Sequence, residues 1–156
     1  MDAYARFLQG KAIADPVTGM TNIPELSQTL KPHQRDIVMW ALRRGRAAVF
    51  AGTGLGKTLM ELTWAEHVSI YTAKPVLIFA PLAVASQHIR EATKFGIDAR
   101  IVASQSDVGP GINVTNYQKM DHFSLGEFGG VVIDESSILK STDGKYRNRL
   151  IEECAV

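Results

Sequence analysis

Five short apolar runs punctuate the chain: Ala47–Ala51, Val76–Ala80, Arg100–Val102, Ile112–Thr115 and Val131–Ile133. They do not alternate with polar residues, which is the pattern of strands covered on both faces. Helical periodicity separates several of them. Leu59, Leu62 and Ala65 fall on one helical face, as do Leu82, Ala85, Ile89 and Ala92. Strands alternating with helices predict an α/β domain, a parallel sheet with helices on both faces.

Upstream of these runs the pattern is different. Residues 3–11 read as a short helix, and residues 12–29, with Pro16, Gly19 and Pro24, read as an irregular lead-in. Pro32 suits a first helical turn, so Pro32 to Arg44 reads as a helix ended by Gly45. Its centre, Ile37 to Leu42, is apolar on every side, which predicts burial. Trp40 and Trp64 lie in such patterns and are assigned to the core. No repeat or linker divides the chain. The expected organisation is a lead-in over 1–29 followed by one domain over 30–156.

Composition sharpens this mainly by exclusion. The 156 residues are 46% hydrophobic and 21% charged, which removes the disordered and coiled-coil classes. The single cysteine, Cys154, excludes a disulfide framework. The longest apolar stretch, Val76 to Ala85, holds ten residues and contains Pro81. A membrane helix needs about 20. The first residues show no secretory signal, so a cytoplasmic location is expected and the Asn113-Val114-Thr115 sequon is read as chance. A net charge of +1 supplies no bulk field for nucleic acid. The basic clusters Arg43, Arg44, Arg46 and Lys140 to Arg149 read as solvated surface. His33, His67, His88 and His122 show no metal-ligand spacing with Cys154 and read as solvated or core residues.

The chemistry is concentrated in three places. Ala51-Gly52-Thr53-Gly54-Leu55-Gly56-Lys57-Thr58 follows an apolar run and precedes a helical pattern, the context of a phosphate-binding loop. Its glycines let backbone N–H groups turn inward around a phosphate, and the helix N-terminus adds its positive end. Lys57 can reach the β- and γ-phosphates, and the Thr58 hydroxyl can ligate Mg²⁺. The run Val131–Ile133 ends in Asp134 and Glu135. At the C-terminal edge of a parallel sheet, Asp134 would hold Mg²⁺ through its water shell, and Glu135 would orient and deprotonate a water. Gln34 carries an amide that can pair with adenine N6 and N7.

Together these segments resemble the first RecA-like lobe of a superfamily 2, DEAD/DEAH-like helicase. Leu30–Gln34 resembles its adenine-reading Q motif, Ala51–Thr58 its motif I and Asp134–Ser137 its motif II. Ala80–Gln87, with Glu91 and Lys94-Phe95, is similar to motif Ia of the Swi/Snf branch, and Val114–Tyr117 to its motif Ib. The run Asp134–Lys140 is particularly similar to phage and prophage helicases. The resemblance covers about residues 30–150, with the motifs in family order.

It implies ATP and Mg²⁺ as cofactors, hydrolysis to ADP and phosphate, and nucleic acid, DNA by this branch, as partner. Pro81, Gln87, Thr115 and Asn116 become candidates for phosphate or sugar contacts, with Lys140 and Lys145 as further candidates. It also implies a second RecA-like lobe, in a longer chain or a partner, that brings arginines to the transferred phosphate. The first lobe alone is expected to turn ATP over poorly. Two other classes fit parts of the pattern: a P-loop ATPase of another kind, such as a kinase or partitioning ATPase, and a non-catalytic nucleotide-binding or interaction module.

Overall fold

The computed structural model describes residues 17–52, 54–135, 137 and 144–154. The helix expected over residues 3–11, Thr53, Ser136 and Lys140 lie outside them. Helix α1 is Pro32–Arg44, with Pro32 in its first turn and Gly45 after its end at φ 79°. Glycine is needed there because the left-handed region penalises a Cβ. The last carbonyls of α1 would otherwise lack partners. The lead-in supplies them: the amides of Thr18, Gly19 and Met20 donate to the carbonyls of Arg44, Arg43 and Leu42 at 3.2, 3.2 and 2.8 Å. The approach is so close that a Cβ on Gly19 would lie 2.0 Å from the Leu42 carbonyl oxygen.

Helix α2 (Lys57–Thr72) leads to strand β1 (Val76–Phe79), helix α3 (Leu82–Lys94), strand β2 (Ala99–Ile101), strand β3 (Ile112–Thr115), strand β4 (Gly130–Ile133) and helix α4 (Lys145–Cys154). The strands form one parallel sheet in the order β2-β3-β1-β4. Every residue of β1 is fully buried, as an apolar run without alternation requires. Val76, Ile78 and Ala80 face a core built with α1, α2 and α3. Leu77 and Phe79 face a second core made by Tyr117, Met120, Phe123, Leu125 and Phe128, against which Tyr146 and Leu150 of α4 pack. Helices therefore cover both faces. No helix among the described residues is long and apolar enough to cross a membrane.

Three expectations are corrected. The run Ala47–Ala51 forms no strand: Val49 is 41% and Phe50 91% exposed, and within the run Ala51 is the residue packed against the core. A strand exists only as one side of a ladder, and no described residue pairs with this run. Trp40 is 48% exposed, because α1 buries one face, with Val38, Ala41 and Leu42, and not its whole circumference. The strand expected over Arg100–Val102 sits one residue earlier. Asn113 is fully buried, its side-chain amide bonded to the Gly109 backbone, so the sequon is closed to a glycan.

The basic cluster near the C-terminus is partly structural. Arg149 of α4 donates to the carbonyls of Met120 and Phe123 and to the carboxylates of Asp121 and Glu153. Glu153 in turn accepts the Leu125 amide at 2.9 Å. This network fastens α4 to the turns of the second core. Hydrogen bonds to charged groups contribute roughly 1.5–3 kcal/mol each, so Arg149→Met, which removes several, should lower unfolding stability by at least about 2 kcal/mol in urea titration. The Arg149 hydrogen bond holds the Glu153 carboxyl below its ordinary range. A depressed carboxyl stabilises the fold above its unfolded pKa and loses that contribution as pH falls through the folded value. Glu153→Gln should therefore flatten the acid limb of a stability–pH curve.

Candidate nucleotide-binding site

The sheet register brings the expected segments to one edge. Phe79 of β1 stands opposite Thr115 of β3 and Ile133 of β4. The residues that follow, Ala80-Pro81, Asn116 and Asp134-Glu135, therefore leave the sheet side by side. The Asp134 amide donates to the Phe79 carbonyl at 2.9 Å, which extends the ladder by one step and fixes where that carboxylate starts. In parallel sheets this is the edge where ligands bind.

The glycine loop feeds α2 beside it. Gly54 and Gly56 have φ of 81° and 76°, values that glycine adopts without strain. A Cβ on Gly54 would meet open space, so side chains at that position are excluded by backbone conformation and not by crowding. The first turn of α2 has no side-chain cap and no acidic residue, so among the described residues no side chain takes up its N–H groups. Lys57 and Thr58 occupy that turn and are half-buried. Uncapped amides, glycine conformations and a lysine together fit a phosphate chain, and Thr58 with Asp134 fits the oxygen donor set that Mg²⁺ prefers.

Gln34 is placed differently from the adenine-reading expectation. It is buried, its Oε1 accepts the Lys31 amide at 2.9 Å, and its Nε2 donates to the Leu55 carbonyl at 2.9 Å. It thus staples α1 to the phosphate loop. A Cβ on Gly56 would lie 2.3 Å from Gln34 Nε2, so the staple also needs this glycine. One N–H and one lone pair of the amide remain for a base.

Two residues not expected from the sequence complete the floor. Glu61 lies one turn beyond Lys57 on α2, and His88 lies on α3 between Ala85 and Ala92 on its buried face. His88 Nε2 is 3.1 Å from Glu61 Oε2 and 3.8 Å from Asp134 Oδ2, and the imidazole is fully buried. The three ligand-type atoms lie within 4.8 Å of one another. Burial pushes the Glu61 carboxyl upward, only partly countered by its hydrogen bond to His88. For His88, burial alone would favour the neutral ring, but the bond to Glu61, the Val84 carbonyl and the two carboxylates raise its pKa above the ordinary value. The four-residue step from Lys57 to Glu61 is a sequence signal for the first of these. His88 gave none, because its partners come from other elements.

The residues expected to meet nucleic acid divide. Pro81 and Asn116 line a cleft of about 440 Å³ together with Leu82, Tyr117, Gln118 and Glu135. Gln87 is exposed on α3, whereas Thr115 is buried at the end of β3. Asn116 Oδ1, Tyr117 OH and Thr115 Oγ1 are buried without hydrogen-bond partners among the described residues. Burial, then the Asp134, Glu61 and Glu135 carboxylates, pushes the Tyr117 phenol well upward. Lys145 is committed to Asp121 at 2.6 Å.

Glu135 is exposed, with φ of 58°. A non-glycine residue there costs roughly 1–2 kcal/mol of backbone strain. Glu135→Gly should accordingly raise the melting temperature by about 2–4 °C. A variant that is less stable would show that the side chain's contacts outweigh the strain.

Comparison with known proteins agrees with this arrangement. Over 133 residues the chain is 31% identical to protein p41 of Acyrthosiphon pisum secondary endosymbiont phage 1. The match covers 72% of this chain and 29% of that protein, so the chain spans less than a third of the relative's length. A family model described as AAA domain matches residues 34–154, from the Gln34 staple through the phosphate loop and Asp134 to the end of α4. With the parallel sheet and the glycine loop at its edge, the match places the chain in the AAA domain family, as a P-loop nucleotide-binding domain.

Proposed function

We propose that this domain is the ATP-binding lobe of a nucleic-acid-dependent ATPase, a helicase or DNA translocase of the superfamily 2 type. The observation that carries the reading is the uncapped N-terminus of α2, with its glycine loop and Lys57, set at the same sheet edge as Asp134 and Glu135. Thr58 and Asp134 would hold Mg²⁺, which supplies neutralisation of phosphate charge when bound. Lys57 and the loop amides hold and orient the phosphates. Glu135, exposed at the cleft, orients a water and takes its proton.

The cleft between Pro81 and Asn116 supports the nucleic-acid half of the proposal. Backbone and side-chain polar groups of this kind hold phosphates and sugars without reading sequence. The phage relative favours a cytoplasmic setting in a bacterium or infected cell. A second RecA-like lobe, from further sequence or a partner, supplies the opposite wall of the nucleotide site.

The deciding experiment is nucleotide binding by the chain with and without Mg²⁺, followed by addition of single-stranded DNA. Lys57→Ala should abolish ATP and ADP binding, and Asp134→Asn should remove the Mg²⁺-dependent part alone. Single-stranded DNA should bind at the weak end of about 10⁻⁴–10⁻⁶ M, weaken with added salt and show little sequence preference. Tight, salt-indifferent binding would overturn the helicase reading. Gln34 acts on the nucleotide through the loop, so Gln34→Ala should weaken ATP and GTP alike in the same titration. A loss confined to ATP would show that the amide turns to the adenine.

A further inference from the structure

His88 is an expensive choice for the position it fills. Its neighbours on the buried face of α3 are Ala85 and Ala92, both members of the apolar core. An aliphatic side chain would pack there without desolvating an imidazole. The ring is nonetheless oriented by two acceptors. Nδ1 lies 3.2 Å from the Val84 carbonyl, which can only accept, and Nε2 lies 3.1 Å from the Glu61 carboxylate. Nδ1–H therefore donates to Val84, which turns Nε2 toward Glu61 with one proton shared between ring and carboxyl. Beyond Glu61, the same Nε2 faces Asp134 Oδ2 at 3.8 Å. The ring thus stands between Glu61 and Asp134, two carboxyl groups that otherwise meet at the sheet edge.

We propose that His88 and Glu61 form a positioning pair for Asp134, fixing the Mg²⁺-facing carboxylate from two helices. Glu61 aims the imidazole through a hydrogen bond, and the ring edge abuts Asp134 at 3.8 Å and limits where that carboxylate can turn. The inference rests on the reading of this edge as an Mg²⁺–nucleotide site and adds residues to it. It also has a directional consequence. Pro81, the residue that caps the start of helix α3, lines the cleft assigned to nucleic acid, and two turns later the helix carries His88 beside Asp134. One rigid helix thus joins the two sites. Groups that orient metal ligands in this way are typically worth about 10–100-fold in metal affinity.

The test is a Mg²⁺ titration of the chain at fixed mant-ADP, read by fluorescence, with the metal-free mant-ADP affinity measured in EDTA. His88→Leu should raise half-saturating Mg²⁺ by about tenfold or more and leave the metal-free affinity unchanged. His88→Gln, which keeps an amide donor toward the carboxylates, should recover most of the loss. In an Asp134→Asn background, His88→Leu should add nothing further. If the leucine variant fails to fold by circular dichroism, His88→Asn, polar but too short to reach Glu61, should show the same Mg²⁺ shift. Equal losses with and without Mg²⁺, or an undiminished effect in the Asp134→Asn background, would overturn the inference in favour of plain packing. Stoichiometric Zn²⁺ binding by the nucleotide-free chain, lost with His88→Leu, would overturn it in favour of a separate metal site. Wild-type mant-ADP binding indifferent to Mg²⁺ would overturn this inference, whereas no mant-ADP binding with or without Mg²⁺ would overturn the nucleotide reading itself.

Discussion

The dryness of β1 is the constraint on which the rest of the structure depends. A strand with no water on either face must have its backbone groups satisfied by ladders on both sides, and it must have an apolar layer above and below. Parallel pairing to β3 and β4 meets the first demand, and the two cores meet the second. Because all the ladders run parallel, the strands end at one edge. The chemistry of the molecule is gathered there, and no loop has to travel to bring it.

At that edge the chain places few groups but holds each from more than one direction. Gln34 ties the loop to α1, Gly56 makes room for the tie, and the Phe79 carbonyl anchors Asp134 through its amide. Glu61 and His88 approach the same carboxylate from α2 and α3. A site built on strand ends and helix turns is more precisely held than one carried on loops. The exposed exception is Glu135, which leaves the sheet in a strained left-handed conformation beside the open cleft. Strain of this kind persists where surrounding structure over-determines it.

Much of this is legible in the sequence itself. Pro32 and Gly45 bracket α1 because each acts locally, through a fixed φ and a missing Cβ. The runs around Val76, Ile112 and Val131 became strands because unbroken apolarity needs two-sided cover. Ala47–Ala51 has the same local pattern and is no strand, since pairing is decided by a partner that the segment itself does not encode. Trp40 misled for a related reason: apolarity around a helix does not say which face meets the core. The phosphate loop was legible because its function resides in consecutive residues. The Glu61–His88–Asp134 meeting was not, because it unites two helices and a strand end that approach only in the folded chain. Gln34 was found for its amide, but its partner Leu55 could not be read from spacing.

The topology also sets an order of events as the chain acquires its shape. β1 pairs with β3 only after α3 and β2 have been passed, and with β4 only after a longer excursion. Parallel sheets closed by such distant contacts are slow to form, because loop entropy is lost before the contacts reward it. Helix α2, with Lys57 at its head, is by contrast local and can form early. The docking of β4 that completes the sheet is the same event that brings the Asp134 amide to the Phe79 carbonyl. The contact that closes the sheet is therefore also the one that assembles the site: without β4 the central strand exposes one edge, and Asp134 has nothing to set it against the phosphate loop.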